Sequence, residues 1–179
     1  MVVVESSAFT FSIDSADAMR ECGRLLGVLL KAGDLIMLDG PLGAGKTTFT
    51  QGIAQGMGVS ERITSPTYVI AVTHRTPEDA PNLVHVDAYR LASYDELDDL
   101  DLDSALEDSA LVIEWGQGKA EALSADRLDI TIERPTGADE EESVDDLYVD
   151  APRQLSLRAT GERSQILADT LMQKYKEGQ

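Results

Sequence analysis

Apolar residues recur along the chain in two rhythms, and each change of rhythm marks an element. Phe9-Thr10-Phe11-Ser12-Ile13 alternates and predicts a strand. From Ala16 to Lys31 the spacing is helical, with Met19, Cys22, Leu25, Leu26 and Leu29 on one stripe. Asp14 or Ser15 can cap that helix, and Gly33 ends it. Leu35-Ile36-Met37-Leu38 is an apolar run and predicts a buried strand over 35–39. A second helix follows to about Met57, closed by Gly56 and Gly58. Further strands are expected over Tyr68–Thr73, Leu83–Asp87, Leu111–Trp115 and Leu128–Ile132. Leu147 to Arg158 reads as one strand or two, broken near Pro152. The tail from Glu162 to Lys176 is an amphipathic helix carrying Ile166, Leu167 and Leu171. Strands interleaved with helices predict an α/β layer architecture: a mostly parallel central sheet flanked by helices, with antiparallel C-terminal strands.

Between the strand at 35–39 and the second helix lies Gly40-Pro41-Leu42-Gly43-Ala44-Gly45-Lys46-Thr47, which fills every position of G-x-x-x-x-G-K-[ST]. The flanks give the pattern its physical meaning. The glycines let the backbone curl so that several N–H groups face one anion. The helix that follows adds the positive end of its dipole. Residues Leu42, Gly43, Ala44, Gly45, Lys46, Thr47 and Thr48 are thus the candidate nucleotide cradle. Lys46 can reach the β- and γ-phosphates, and the Thr47 hydroxyl can ligate Mg²⁺.

Such a site needs a further carboxylate, usually at the end of an apolar strand. Leu83–Asp87 and Leu111–Glu114 both qualify. In a parallel sheet their acids fall on the same edge as the phosphate loop, where ligands bind. Glu114 is favoured for the metal, and Asp87 for orienting water or contacting a metal-bound water. Pro66 pushes Ser65 out of the helical region, so Ile63–Tyr68 should be an extended loop. Its Thr67 is either a switch hydroxyl facing the γ-phosphate or its metal, or an ordinary turn hydroxyl. The N-K-x-D segment that usually accompanies guanine recognition is absent from the sequence, which favours ATP over GTP.

Composition narrows the rest. The length of 179 residues and 42% hydrophobic content suit a single domain with a real core. A formal net charge of −18 argues against autonomous binding of tRNA, DNA or an anionic membrane surface. Part of that charge lies among leucines from Asp95 to Asp108, where one or two short helices are expected. Their acidic face is either simply solvated or a docking surface for a basic partner. Another part lies in 136–146, expected to be a mobile hairpin tip. The lone cysteine, Cys22, excludes an intramolecular disulfide and reads as a packed thiol. No signal-peptide pattern opens the chain, and the apolar run Leu25–Leu30 is too short to span a bilayer, so a cytoplasmic location is expected.

Taken together, GPLGAGKTTF (Gly40–Phe49), SPTY (Ser65–Tyr68), HVDAYRL (His85–Leu91) and VIEW (Val112–Trp115), in this order and spacing, resemble the TsaE (YjeE) family. The resemblance covers roughly Phe9 to Pro135. It implies a P-loop NTPase fold and a small Mg-dependent ATPase of bacterial tRNA threonylcarbamoyladenosine synthesis, with slow hydrolysis. It implies TsaD and TsaB as partners, with tRNA met only within that complex. By motif, Leu42 to Thr47 would hold the phosphates, and Thr47 and Glu114 the Mg²⁺. Thr67 would lie in a first switch, Asp87 would be needed for hydrolysis, and Trp115 would flank a second switch. Pro41 departs from the acid many relatives carry. No motif marks the adenine pocket; the turn Ser12–Ser15 and the Thr160-Gly161 corner are its expected walls. Two other readings compete. A small-molecule kinase would want an arginine-bearing lid, but Arg62, Arg75, Arg90, Arg127 and Arg134 are scattered. A non-catalytic nucleotide sensor would not need both Asp87 and Glu114.

Overall fold

The structure is a computed structural model that describes residues 8–134 and 151–178. The acidic stretch 136–146, and the first part of the strand expected after it, lie outside the described residues. In chain order the elements are β1 (Ala8–Ile13), α1 (Ala16–Gly27), β2 (Leu35–Asp39), α2 (Lys46–Gly56), β3 (Ala71–His74) and β4 (Asn82–Asp87). Then come α3 (Tyr94–Asp98), α4 (Leu102–Leu106), β5 (Ser109–Glu114), β6 (Leu128–Glu133), β7 (Arg153–Ala159) and α5 (Glu162–Glu177). The strands form one sheet in the order β1-β7-β6-β2-β5-β4-β3. Its centre, β6-β2-β5-β4, is parallel. Both margins are antiparallel, β7 and β1 on one side and β3 on the other. This is the expected α/β class.

Side chains alternate across the sheet, and the two faces bury different helices. Ile36 and Leu38 of β2 join Phe49 and Ile53 of α2, Leu26 of α1 and Leu171 of α5 in one core. Leu35 and Met37 face the other way, into a core with Leu97 of α3 and Leu102 of α4. The same parity puts Leu83, His85 and Asp87 of β4, and Ala110, Val112 and Glu114 of β5, on the α2 side. Three polar groups are thereby aimed at the start of α2.

The seat of α2 is set by an unusually close helix crossing. A Cβ at Gly52 would lie 2.0 Å from the Arg20 carbonyl, and one at Gly23 would lie 2.2 Å from the Phe49 carbonyl. Only glycine allows backbones this near. The crossing also encloses Cys22, whose thiol burial pushes up to about 12, with the Glu21 charge adding to it.

Three local expectations are revised. Helix α1 ends at Gly27 rather than Lys31, because Leu29 and Leu30 donate to Leu26 and Gly27 in tightened i→i−3 turns. The stretch 68–70 is a turn, and β3 starts only at Ala71. Here the Pro66 carbonyl accepts from Val69 at 3.0 Å and Ile70 at 2.6 Å, and Ile70 takes φ 75°. Last, β5 stops at Glu114, and Trp115 turns out of it at φ 60°. Among the described residues no helix is long and apolar enough to cross a membrane.

Candidate functional site

The loop between β2 and α2 closes tightly, with Ala44 N–H donating to the Pro41 carbonyl at 3.1 Å. Gly40 sits at φ 149°, and a Cβ there would be 2.2 Å from the Ile132 carbonyl on β6. Gly45, at φ 113°, precedes α2 and gives it no side-chain cap. The first amides of an α-helix have no partner inside the helix. At α2 they are left for an anion, which suits a phosphate. The Lys46 ammonium is buried beneath the loop. It donates to the carbonyls of Gly40 at 2.6 Å and Pro41 at 3.0 Å, and lies 3.9 Å from the Trp115 ring centre. Burial lowers its pKa, against the opposing pull of Glu114, Asp39 and Asp87.

Across from the loop, Glu114 ends β5 and is 3% exposed. Its Oε1 accepts from the Thr47 hydroxyl at 3.2 Å. The same oxygen is 2.8 Å from Nε2 of His85, which is 0% exposed. A carboxylate can only accept, so Nε2 carries the proton. That leaves Nδ1 of His85 buried without a hydrogen-bond partner, at a cost of about 1–3 kcal/mol. One hydroxyl and one carboxylate, both hard oxygen donors, suit Mg²⁺. That ion is usually held by one or two carboxylates plus substrate phosphates, not by an all-protein cage. Among the described residues no three His, Cys, Asp or Glu gather into such a cage.

The neighbouring strand end carries Asp87, 3% exposed and fully engaged. Its Oδ2 accepts from Thr67 at 2.8 Å and Ser65 at 3.3 Å, and its Oδ1 from Tyr89 N–H at 2.9 Å. Asp87 thus ties the Ser65–Thr67 loop to the sheet edge. The positive φ at Ile70 turns the chain back from that loop into β3. It also presents the Ile70 carbonyl to Asp87 N–H at 2.8 Å.

These groups share one cleft of about 540 Å³, lined by loop residues 42–48 with Ser65, Thr67, Asp87, Tyr89, Glu114 and Trp115. The phosphate, metal and catalytic candidates from the sequence (residues 42–48, Thr67, Asp87 and Glu114) therefore line the same space. Three participants were not picked. Ser65 was named only as part of the loop, although it shares Asp87 with Thr67. Tyr89 packs against Trp115 with the rings tilted by 58° and their centres 5.1 Å apart. His85 had a signal, being a polar residue within the apolar run Leu83–Val86. One expected wall is misplaced. Thr160 N–H bonds the Arg127 carbonyl at the amino end of β6, the opposite end of the sheet from the loop. The reason is that β7 runs antiparallel to β6, so its carboxyl end points away from the site. The turn after β1 does lie at the loop's end of the sheet. Ile13 pairs with Arg153, whose guanidinium donates to the Ala44 carbonyl at 3.2 Å.

Residues 13–143 match the sequence profile of a family described as threonylcarbamoyl adenosine biosynthesis protein TsaE. A Streptomyces coelicolor protein named tRNA threonylcarbamoyladenosine biosynthesis protein TsaE is 58% identical over 120 residues, spanning 66% of this chain and 81% of its own. A Bacillus subtilis protein of the same name is 35% identical over 149 residues, or 83% and 84% of the two chains. A crystal structure of Bacillus subtilis YdiB superposes with a TM-score of 0.71 at 26% identity, covering 94% of this chain and 97% of that one. With the profile spanning most of the sequence, and the fold and glycine-rich loop in agreement, the chain belongs to the TsaE family of P-loop proteins.

Proposed function

We propose that the chain is a single-domain, Mg-dependent ATPase that binds ATP and hydrolyses it slowly. In this reading it serves tRNA N6-threonylcarbamoyladenosine modification together with TsaD and TsaB. The observation that carries the chemistry is the Thr47–Glu114 contact of 3.2 Å beside an uncapped helix start. An anion-binding helix end and two hard-oxygen donors meet there in one cleft. Membership of the TsaE family supports the tRNA pathway, and the motif resemblance supports the partners. The net charge of −18 fits a chain that meets tRNA only within a complex.

The residues divide the work. Backbone amides at the start of α2 bind and orient the phosphates, and Lys46 adds a charge once it leaves the Gly40 and Pro41 carbonyls. Thr47 and Glu114 would hold magnesium, which when bound neutralises phosphate charge. Thr67 and Asp87 act as a linked pair. If the Thr67 hydroxyl turned toward the γ-phosphate, Oδ2 of Asp87 would lose its shorter hydrogen bond, keep the one from Ser65, and be able to accept one from water. The loop Ser65–Thr67 thereby reports the nucleotide state at the surface, which suits a switch read by a partner.

A thermal-shift comparison of wild type and Lys46→Ala with Mg-ATP, Mg-GTP and no ligand tests the site. Ligand at 100 times its dissociation constant should stabilise wild type by about 2.7 kcal/mol. That gain should vanish in Lys46→Ala and be weaker with GTP. Equal shifts in both proteins would sink the assignment. Partner action is tested separately: adding TsaD and TsaB should raise ATP turnover, and unchanged turnover would refute it.

A further inference from the structure

Every side chain of β4 between Leu83 and Val86 is buried, and all are apolar except His85. An apolar residue would fill that position without an orphaned nitrogen. Among the described residues the imidazole instead makes a single hydrogen bond, to Oε1 of Glu114 at 2.8 Å, and its Nδ1 goes unpaired. The Thr47 hydroxyl donates to the same oxygen at 3.2 Å. Among the described residues no hydrogen bond reaches Oε2 of Glu114. Both contacts therefore fall on one carboxylate oxygen and spare the other.

We propose that His85 is a positioning residue for the cation site: it fixes the Glu114 carboxylate so that one oxygen is committed and Oε2 stays free for magnesium. This inference rests on the proposed role of Thr47 and Glu114. A carboxylate on a flexible glutamate side chain must be held in one rotamer to bind a small, geometrically demanding ion. Groups that orient metal ligands from behind typically set metal affinity by 10–100-fold. Thr47 cannot supply this restraint alone, because its hydroxyl is itself a candidate ligand. His85 stands behind the acid, fully buried, on a strand whose register to β5 is fixed by parallel pairing.

The test titrates ATP calorimetrically into the full chain with magnesium and with chelator, for wild type, His85→Leu, His85→Asn and His85→Gln. Manganese binding in the presence of ATP, followed by electron paramagnetic resonance, gives a readout independent of turnover. Glutamine carries an amide N–H to about the reach of Nε2, whereas asparagine stops short of Oε1. Wild type and His85→Gln should gain affinity from magnesium, and bind manganese, within about twofold of each other. In His85→Leu and His85→Asn the magnesium-supported gain and the manganese affinity should fall by about 10–100-fold. Their affinity for ATP in chelator should not change. If His85→Leu does not fold, the contrast between asparagine and glutamine decides alone. Leucine or asparagine variants that keep the full magnesium gain overturn the inference and leave the ATPase reading standing. So does a glutamine variant that fails like asparagine. A wild type with no magnesium gain overturns the metal assignment itself, and this inference with it.

Discussion

Helices α2 and α5 both start from a glycine, Gly45 and Gly161, and neither receives a cap from its own first residue. They solve the same electrostatic problem in opposite ways. At α5 the chain supplies the missing anion. Asp126 accepts from the amides of Arg163 and Ser164 at 2.8 Å each. Arg163 in turn donates to both oxygens of Asp34, at 2.9 and 2.8 Å, and to the Leu29 carbonyl at 2.7 Å. At α2 no side chain among the described residues fills that role: Glu114 faces the Thr47 hydroxyl, and Asp87 the Ser65–Thr67 loop. The amino end of the sheet is thus internally satisfied, whereas at the carboxyl end the start of α2 has no side-chain cap among the described residues. On the proposed function one helix start serves stability and the other binding, and the difference is whether a carboxylate stands in front of it.

The sharpest way to break the satisfied end is Arg163→Met. Asp34, 5% exposed, would keep only the Lys31 amide as a partner among the described residues. Removing one member of a buried pair costs about 3–5 kcal/mol, and the partial exposure of Arg163 places this case near 3. The melting midpoint should drop by about 6–12 °C, while the dissociation constant for ATP stays as in wild type. A smaller effect is expected for Asp126→Ala, which removes the borrowed cap: about 2 kcal/mol, read by urea unfolding. Loss of ATP binding in either variant, with the fold intact, would mean that the two ends are coupled and that the division of labour is wrong.

Much of this could be read from local sequence, and the unread part has a common cause. The glycine-rich loop announces itself because strand, turn chemistry and helix are contiguous. Asp87 and Glu114 could be placed on one edge because each ends an apolar run, and parallel strands align such ends. What escaped depends on partners far away in the chain. Asp34 and Arg163 are 129 residues apart, and Asp126 and Ser164 are 38 apart. The Thr160-Gly161 corner was misplaced because the direction of β7 is set by pairing with β6, not by its own pattern. The strand expected from Tyr68 yielded to a local turn when the Pro66 carbonyl captured two amides. His85 was visible as a lone polar residue in an apolar strand, but its meaning required the register that sets it behind Glu114.

The subtlest contrast is in acid–base behaviour, where the two ends should show opposite signs. Burial pushes the Asp126 carboxyl up, but hydrogen bonds from Ser164 and from the Arg163 amide pull it below its ordinary value. Asp39, beside the phosphate loop, is raised. Burial is the main cause, the charges of Asp129 and Glu121 add to it, and the Gln117 amide and Lys46 oppose it. An acid lowered by folding stabilises the native state above its unfolded value, about 3.9, and that contribution is lost as pH falls through the folded value. A raised acid does the reverse. Its contribution is present while it is protonated, and is lost as pH rises from about 3.9 through the folded value. Urea unfolding from about pH 7 down to about pH 3 should therefore separate two neutral variants. Asp126→Asn should be less stable than wild type at neutral pH, with a deficit that shrinks on acidification. Asp39→Asn should be more stable than wild type at neutral pH, with an advantage that shrinks over the same range. Parallel curves for the two variants would show that the sheet's ends do not differ electrostatically. Opposite curves would tie the loop's end of the sheet to a measurable cost of burying the Asp39 charge, which Lys46 already opposes and a bound cation would reduce further.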